Sequence, residues 1–257
     1  MRNLKVRIAY NGTAYHGWQR QNNNITVQQV IEERMGRILN TLVTVHGCSR
    51  TDAGVHAREF WFSTRTESAI PCSGLMKAMN ALLPDDIAVL SCEEADEDFH
   101  ARFSAKGKEY VYLINNAPQK DPFGYALALF YPYRLDEARL DRAAKLLVGT
   151  HNFAAFCKAE AKEHLSTTVR TIWDAGVRRD GDTVTVTVSG DGFLHNMVRI
   201  IVGTLIYINE GKRTEDDIIR SLDTGERDMA GITIPPHGLY LNRVFYTEKE
   251  TEINENS

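Results

Sequence analysis

The sequence has few cysteines and no long apolar run. Its 257 residues include four cysteines, and no two of them form a C-x-x-C pair. Neither a disulfide framework nor a structural zinc site is therefore expected, and a reducing compartment, the cytoplasm, is the predicted location. The longest apolar stretch, residues 200–208, is much shorter than the roughly 18 to 20 residues that a transmembrane helix needs. We therefore expect no membrane-spanning segment.

The sequence also lacks a strong excess of charge of either sign. Thirty Lys and Arg residues against 34 Asp and Glu residues give a net charge of −4. This balance does not exclude a nucleic-acid partner, because a phosphate backbone responds to local basic surface rather than to net charge. The first seven residues, MRNLKVR, lack the apolar block of a secretion signal, so no signal peptide is expected.

Hydrophobic periodicity predicts helices and strands in the first half of the chain. Thr26 and Gln29 form a capping-box pattern ahead of a helically spaced apolar stripe that runs to Leu39. A second helix is predicted over residues 73–83, and Pro84 ends it. Alternating apolar residues predict strands over residues 4–10, 41–46, 59–64 and 87–93. The predicted order is strand, helix, strand, strand, helix, strand.

The second half repeats this order with longer insertions. Strands are predicted over residues 108–115, 168–179, 183–189 and 239–246, and helices over residues 135–147, 196–210 and 214–222. The fold class is therefore predicted as α+β, with two ferredoxin-like halves, residues 1–105 and 106–247, whose antiparallel sheets join and whose helices lie on one face. Residues 248–257 form an acidic tail that we expect to be disordered. A single mixed sheet without internal symmetry is the alternative.

The loop over residues 47–57 is the most informative segment for function. It places Arg50, Asp52 and His56 within seven residues, between two predicted strands, where scaffolds commonly carry functional groups. A surface ion pair between Arg50 and Asp52, worth about 0–1 kcal/mol, would explain the pattern without any function. Asp52 and His56 also have the spacing of a metal pair on a helix, although the segment offers no third ligand nearby.

Five segments together resemble the TruA family of tRNA pseudouridine synthases. They are residues 10–19 (YNGTAYHGWQ), 49–57 (SRTDAGVHA), 103–112 (FSAKGKEYVY), 192–205 (GFLHNMVRIIVGTL) and 236–241 (PHGLYL). They occur in the family's order over nearly the whole chain, which makes the resemblance specific. One departure is Ser49, where the family more commonly has glycine.

The resemblance implies a reaction and a substrate. Enzymes of this family isomerise uridine to pseudouridine at positions 38, 39 and 40 of the anticodon stem-loop of tRNA. They break the N-glycosidic bond, turn the base and rejoin it through carbon, so no cofactor, metal or energy donor is expected. The implied fold is the pseudouridine synthase fold, with the active site in the cleft between its halves. The family also implies a homodimer, with the tRNA lying across both subunits.

The resemblance also assigns roles to five residues. Asp52 matches the catalytic aspartate, and Arg199 matches the cation that keeps a carboxylate in a closed pocket ionised. Tyr110 matches the tyrosine that stacks on the target uracil, and Arg50 matches the residue that assists flipping of the nucleotide. Leu239 is expected to line the pocket. Three roles for Asp52 stay open: attack at C1′ of the sugar, attack at C6 of the base, or removal of a proton from the sugar.

Other functions and roles remain open at this point. A duplicated RRM-like module would bind RNA without changing it, and a metal-dependent hydrolase would use Asp52 and His56. The aromatic and basic loop that contains Tyr15, His16, Trp18 and Arg20 suits either RNA contact or anchoring at an interface. His56 itself is expected to be structural rather than catalytic.

Overall fold

The computed structural model describes residues 1–158, 166–247 and 251. Contacts divide the chain into two compact units. Met1–Lys106 and Tyr240–Thr247 form the first unit, and the second contains Gly107–Leu239. Apart from residue 251, the predicted acidic tail lies outside the described residues. In the described part of the chain, no helix is long and apolar enough to cross a membrane.

The first unit is a mainly antiparallel sheet with two helices. Strand β1 lies between β3 and β4 and is antiparallel to both, and the short β2 pairs with β3. The last strand of the chain, β10, is parallel to β3, with Tyr240 opposite His56. The elements are β1 (Arg2–Tyr10), α1 (Val27–Leu39), β2 (His46–Gly47), β3 (His56–Thr66), α2 (Cys72–Leu82), β4 (Ile87–Ala95) and β10 (Leu239–Phe245).

Local sequence explains why these elements begin and end where they do. The hydroxyl of Thr26 accepts a 3.4 Å hydrogen bond from the backbone N–H of Gln29, so Thr26 caps α1 as its pattern predicts. Asn40 ends α1 in the left-handed conformation, with φ of 51°. In β1, alternate side chains such as Leu4 and Ile8 are fully buried.

The second unit is a mainly antiparallel sheet with three helices in its described residues. Strand β9 lies between β5 and β8, β7 pairs with β8, and the short β6 is parallel to β5. The elements are β5 (Gly107–Asn115), β6 (Leu129–Phe130), α3 (Glu137–Lys145), β7 (Gly149–Asn152), β8 (Val169–Asp180), β9 (Thr183–Gly190), α4 (Met197–Asn209) and α5 (Glu215–Thr224).

Helix α4 lies in the core of the second unit. Ten of its thirteen residues are buried, which is typical of a helix surrounded by protein rather than one that lies on a surface. A Cβ at Gly203 would lie 1.9 Å from the carbonyl oxygen of Ile232, so the helix backbone touches that segment directly. Arg199 is the only charged residue of α4. Its positive charge therefore needs polar partners, because the rest of the helix is uncharged and mostly buried.

The structure confirms the predicted fold class, a mixture of helices and mostly antiparallel strands. The predicted strand over residues 41–46 is wrong for most of its length. Leu42 is fully exposed, and the backbone N–H of Val45 donates to the carboxylate of Glu32 at 3.2 Å instead of to a neighbouring strand. Only His46–Gly47 pairs, with Ser63 and Phe62 of β3.

Most of the last strand, β10, belongs to the first unit, although it follows the second unit in sequence. The sequence predicts residues 239–246 as part of the second half, whereas Tyr240–Thr247 belong to the first unit. Pairing of β10 with β3 explains this, since it joins the end of the chain to an early strand. That the chain consists of two domains divided near residue 105 stays a prediction.

Candidate active site

Asp52 occupies a tight turn in the loop that leads into β3. Its backbone carbonyl accepts a 3.2 Å hydrogen bond from the N–H of Val55. Gly54, at the third position of this turn, has φ of 77°, a conformation that glycine adopts without strain. The Asp52 side chain is half-buried and that of the neighbouring Arg50 is exposed. The turn therefore presents a carboxylate and a guanidinium close together in sequence at the surface of the first unit.

The segment after β1 holds this loop in place. The Tyr10 hydroxyl and the Thr51 hydroxyl are 2.9 Å apart, and the Trp18 N–H donates to the carbonyl of Thr51 at 3.2 Å. Gly17 has φ of 82°, and a Cβ there would lie 2.2 Å from the Thr51 carbonyl oxygen. Two motifs that are about 30 residues apart in sequence thus form one packed structure, which fixes the residue directly before Asp52.

The aromatic residues of that segment belong to the core. Trp18 is 3% exposed and stacks on Phe60 with ring centroids 4.0 Å apart. Tyr15 is also buried, and its hydroxyl donates to Asp86 at 2.6 Å; burial, and then this hydrogen bond, raise the pKa of Tyr15. Arg20 forms an ion pair with Glu32 at 2.9 Å. The expectation that this loop offers aromatic rings to RNA is therefore wrong for Tyr15 and Trp18.

His56 is also a structural residue. It is 1% exposed, its Nδ1 accepts a 3.0 Å hydrogen bond from the N–H of Gly12, and its ring stacks on Tyr240 at 4.6 Å. Within the described residues, no three His, Cys, Asp or Glu side chains are grouped as a metal site would require. The structure therefore gives His56 a packing role.

The second unit holds the other three residues that the sequence predicts for the site. Tyr110 lies on β5, is 7% exposed, and makes an edge-on contact with Phe193 at 5.0 Å. Leu239 is the first residue of β10 but belongs to the second unit, whereas the rest of that strand belongs to the first, and it is also 7% exposed. Arg199 lies in the first turn of α4 and is partly buried. Tyr110 and Leu239 are therefore packed residues, which agrees with either core or pocket-lining roles.

Two short hydrogen bonds orient the Arg199 guanidinium. Its Nε donates to the backbone carbonyl of Ile234 and its Nη1 donates to Oδ1 of Asn196, both at 2.7 Å. Burial lowers the pKa of His237, and the positive charge of Arg199 lowers it further. Burial raises the pKa of Tyr112, and Arg199 opposes that rise. The guanidinium thus has a defined orientation, and its positive charge acts to lower the pKa of both His237 and Tyr112.

Sequence reasoning missed the residues that hold these side chains. Gly12 and Gly17 support the Asp52 loop, and Asn196 contacts Arg199. A signal for Gly12 and Gly17 was present, because both lie in the segment over residues 10–19 that resembles the family. Asn196 also lies in a segment that resembles the family, residues 192–205, but an asparagine before a helix is typical of a cap rather than of a contact with a residue three positions later.

Comparison with known proteins identifies the family. A family profile described as tRNA pseudouridine synthase matches residues 7–104 and 143–247. These two segments include Arg50, Asp52, Arg199 and Leu239, and Tyr110 lies between them.

Relatives match over nearly the whole chain. A protein named tRNA pseudouridine synthase A from Thermoanaerobacter sp. (strain X514) is 42% identical over 248 residues, which is 96% of this chain and 100% of that protein. Proteins of the same name from Exiguobacterium sibiricum (42% identical, 98% of this chain and 100% of the relative) and Acetivibrio thermocellus (43%, 96% and 100%) are similar to the same degree. The chain belongs to the tRNA pseudouridine synthase family.

Proposed function

We propose that this enzyme isomerises uridine to pseudouridine at positions 38, 39 and 40 of the anticodon stem-loop of tRNA, with Asp52 as its nucleophile. Membership of the family makes it an isomerase that acts on uridine in tRNA. The observation that carries the finer proposal is the Asp52 turn, a carboxylate that two packed sequence motifs hold at the surface of the first unit.

The reaction balances without any added reagent. The bond between C1′ and N1 breaks, a bond between C1′ and C5 forms, the proton at C5 is lost and N1 gains one. The product has the composition of the substrate, so no oxidant, reductant or group donor takes part. The protein has to supply an ionised carboxylate and a way of holding the detached base. Attack at C1′ or C6 and removal of a sugar proton all require the carboxylate of Asp52 in its charged form.

We give Arg199 the role of the cation that keeps the catalytic carboxylate ionised. Arginine suits this role because it stays protonated and can donate two parallel hydrogen bonds to one carboxylate. In the second unit, the acceptors for its Nε and Nη1 are a carbonyl and an amide oxygen, both uncharged. These two contacts fix the orientation of the guanidinium and do not neutralise its charge.

Three further residues contact the target nucleotide: Tyr110, Arg50 and Leu239. The Tyr110 ring packs edge-on against Phe193, which supports a defined position for a ring that stacks on a uracil. Arg50 is exposed, so its guanidinium can contact the nucleic acid while the base leaves its stack, a step that costs a few kcal/mol. Leu239 forms part of the apolar lining against the base.

We also propose an oligomeric state and a cellular location for the enzyme. The enzyme works as a homodimer in the cytoplasm, with tRNA as its macromolecular partner and without a cofactor. Light scattering on the purified protein tests the dimer, which predicts a mass of twice the 29.0 kDa chain.

The deciding experiment uses an unmodified tRNA transcript that has uridines at positions 38, 39 and 40. The protein is incubated with it in excess chelator, and pseudouridine is mapped by chemical labelling. Modification confined to those three positions is expected. Modification elsewhere would overturn the assignment of positions, loss of activity in chelator would favour a metal-dependent reaction, and binding without modification would favour the RNA-binding alternative.

A further inference from the structure

We propose that Asn196 is a positioning residue for Arg199 in the isomerisation reaction. This inference rests on the proposed function, because it requires that Arg199 takes part in catalysis. The observation behind it is the 2.7 Å hydrogen bond that Nη1 of Arg199 donates to Oδ1 of Asn196. Both residues belong to the second unit, three positions apart at the start of α4.

The Asn196 side chain does not perform the usual task of a residue in its place. Asn196 precedes the first residue of α4, where an asparagine side chain commonly accepts a hydrogen bond from the second or third backbone N–H of the helix. Here it makes no such capping bond. Its amide oxygen accepts from the guanidinium of Arg199 instead. The side chain therefore orients Arg199 rather than capping the helix.

The backbone at Asn196 gives a second, independent argument. Asn196 has φ of 64° and ψ of 7°, in the left-handed region. A residue with a Cβ pays for this conformation, and glycine adopts it readily. A purely backbone role would therefore be served at least as well by glycine. What asparagine adds at this position is an amide oxygen that reaches Nη1 of Arg199.

The second anchor of Arg199 makes the contribution of Asn196 specific. Nε of Arg199 donates to the carbonyl of Ile234, and the adjacent carbonyl, that of Pro235, accepts a 2.8 Å hydrogen bond from the Tyr112 hydroxyl. The guanidinium is planar, so contacts at both Nε and Nη1 define the orientation of its plane. The substitution Asn196→Gly removes the hydrogen bond at Nη1 and keeps the one at Nε.

The test is the substitution Asn196→Gly, which keeps the left-handed backbone and removes the amide. The matched control is Asn40→Gly, because Asn40 is also left-handed (φ 51°), ends α1 in the first unit and is exposed. Under single turnover with saturating enzyme, Asn196→Gly is expected to lower the rate of pseudouridine formation by roughly 10- to 100-fold, the scale of a small misplacement of a reacting group. The Kd for tRNA should stay within about twofold. Asn40→Gly should match the wild type in both.

A double-mutant cycle separates the inference from the function on which it rests. Arg199→Lys is expected to be slow, and adding Asn196→Gly to it should lower the rate no further, because the contact is already lost. If Asn196→Gly has the wild-type rate while Arg199→Lys is slow, the inference is overturned and the role of Arg199 stands. If Asn196→Gly slows both backgrounds equally, it acts independently of Arg199 and the inference is also overturned. If Arg199→Lys has the wild-type rate, the proposed role of Arg199 fails.

Discussion

The backbone N–H of Gly12 donates a 3.0 Å hydrogen bond to Nδ1 of His56, which is buried against the ring of Tyr240. This contact joins the turn after β1 to the first residue of β3. Asp52 lies four residues before His56, in a loop whose other side is held through Thr51. The catalytic carboxylate that we propose is therefore mounted on a loop fixed at both ends, which is the arrangement that precise placement of a reacting group requires.

Asp52→Asn should abolish pseudouridine formation and leave the fold and tRNA binding almost unchanged. The amide has nearly the size of the carboxylate, but it has no negative charge and is a poor nucleophile and base. Activity is measured by chemical labelling after single turnover, binding by filter retention, and folding by urea denaturation. Turnover by Asp52→Asn at a rate within tenfold of the wild type would remove the proposed mechanism.

Gly17→Ala should destabilise the protein and slow the reaction together. The residue has φ of 82°, and a Cβ would lie 2.2 Å from the Thr51 carbonyl oxygen, so the loop that carries Asp52 has to move. The control is Gly211→Ala. Gly211 has a similar φ of 70°, and no atom lies within 4 Å of the position that the added Cβ would take.

In the control, the free energy of unfolding should fall only by the cost of placing alanine in the left-handed conformation, about 1–2 kcal/mol. The free energy of unfolding, measured in urea, is expected to fall further for Gly17→Ala than for Gly211→Ala, and only Gly17→Ala should alter the single-turnover rate. Equal losses of stability and equal rates would show that the close approach of Gly17 to Thr51 does not fix the loop.

Tyr110→Phe should keep binding of the target uridine, whereas Tyr110→Leu should bind it poorly. Phenylalanine retains the ring that stacks on the base, a contact worth about 1–3 kcal/mol, and leucine retains bulk without a ring. Tyr110→Ala should lose binding as well, and because Tyr110 is buried it should also lose several kcal/mol of stability. For this reason Tyr110→Leu is the better probe.

The measurement for Tyr110 is the rate at subsaturating and saturating tRNA, with folding followed by circular dichroism. A folded Tyr110→Leu protein that modifies tRNA as the wild type does would contradict the stacking role and leave Tyr110 as an ordinary core residue.

Stability should fall below about pH 6.5, and His237 should account for part of the fall. Burial, followed by the charge of Arg199, lowers the pKa of His237 in the folded protein. The unfolded chain takes up a proton near the ordinary histidine pKa of about 6.5, before the folded protein does, so acid favours unfolding. Above that pH both states are neutral at His237, and its contribution to the pH dependence vanishes.

His237→Gln should therefore reduce the slope of unfolding free energy against pH below about pH 6.5. The slope should not vanish, because burial also lowers the pKa of His100. Urea denaturation at intervals of half a pH unit measures it. An unchanged slope would mean that His237 titrates alike in the folded and unfolded states.

Sequence periodicity predicted most of the regular structure, because strands and helices with one buried face carry their pattern locally. The cap at Thr26 was confirmed, and the apolar helix over residues 196–210 was observed as Met197–Asn209. The strand over residues 41–46 failed where a tertiary contact prevailed, since Glu32 takes the N–H of Val45. The two-residue strand β6 has too little sequence to show a period.

By itself, the sequence determined the fold class and the family, because those depend on local pattern and on motifs that are contiguous in the chain; the residues that we propose for the reaction come from the same motifs. Only the tertiary structure decided that Trp18 and His56 are buried supports of the Asp52 loop, and that Asn196 holds Arg199. Side-chain orientation and hydrogen bonds between distant segments depend on how elements pack, and no local period in the sequence specifies that packing.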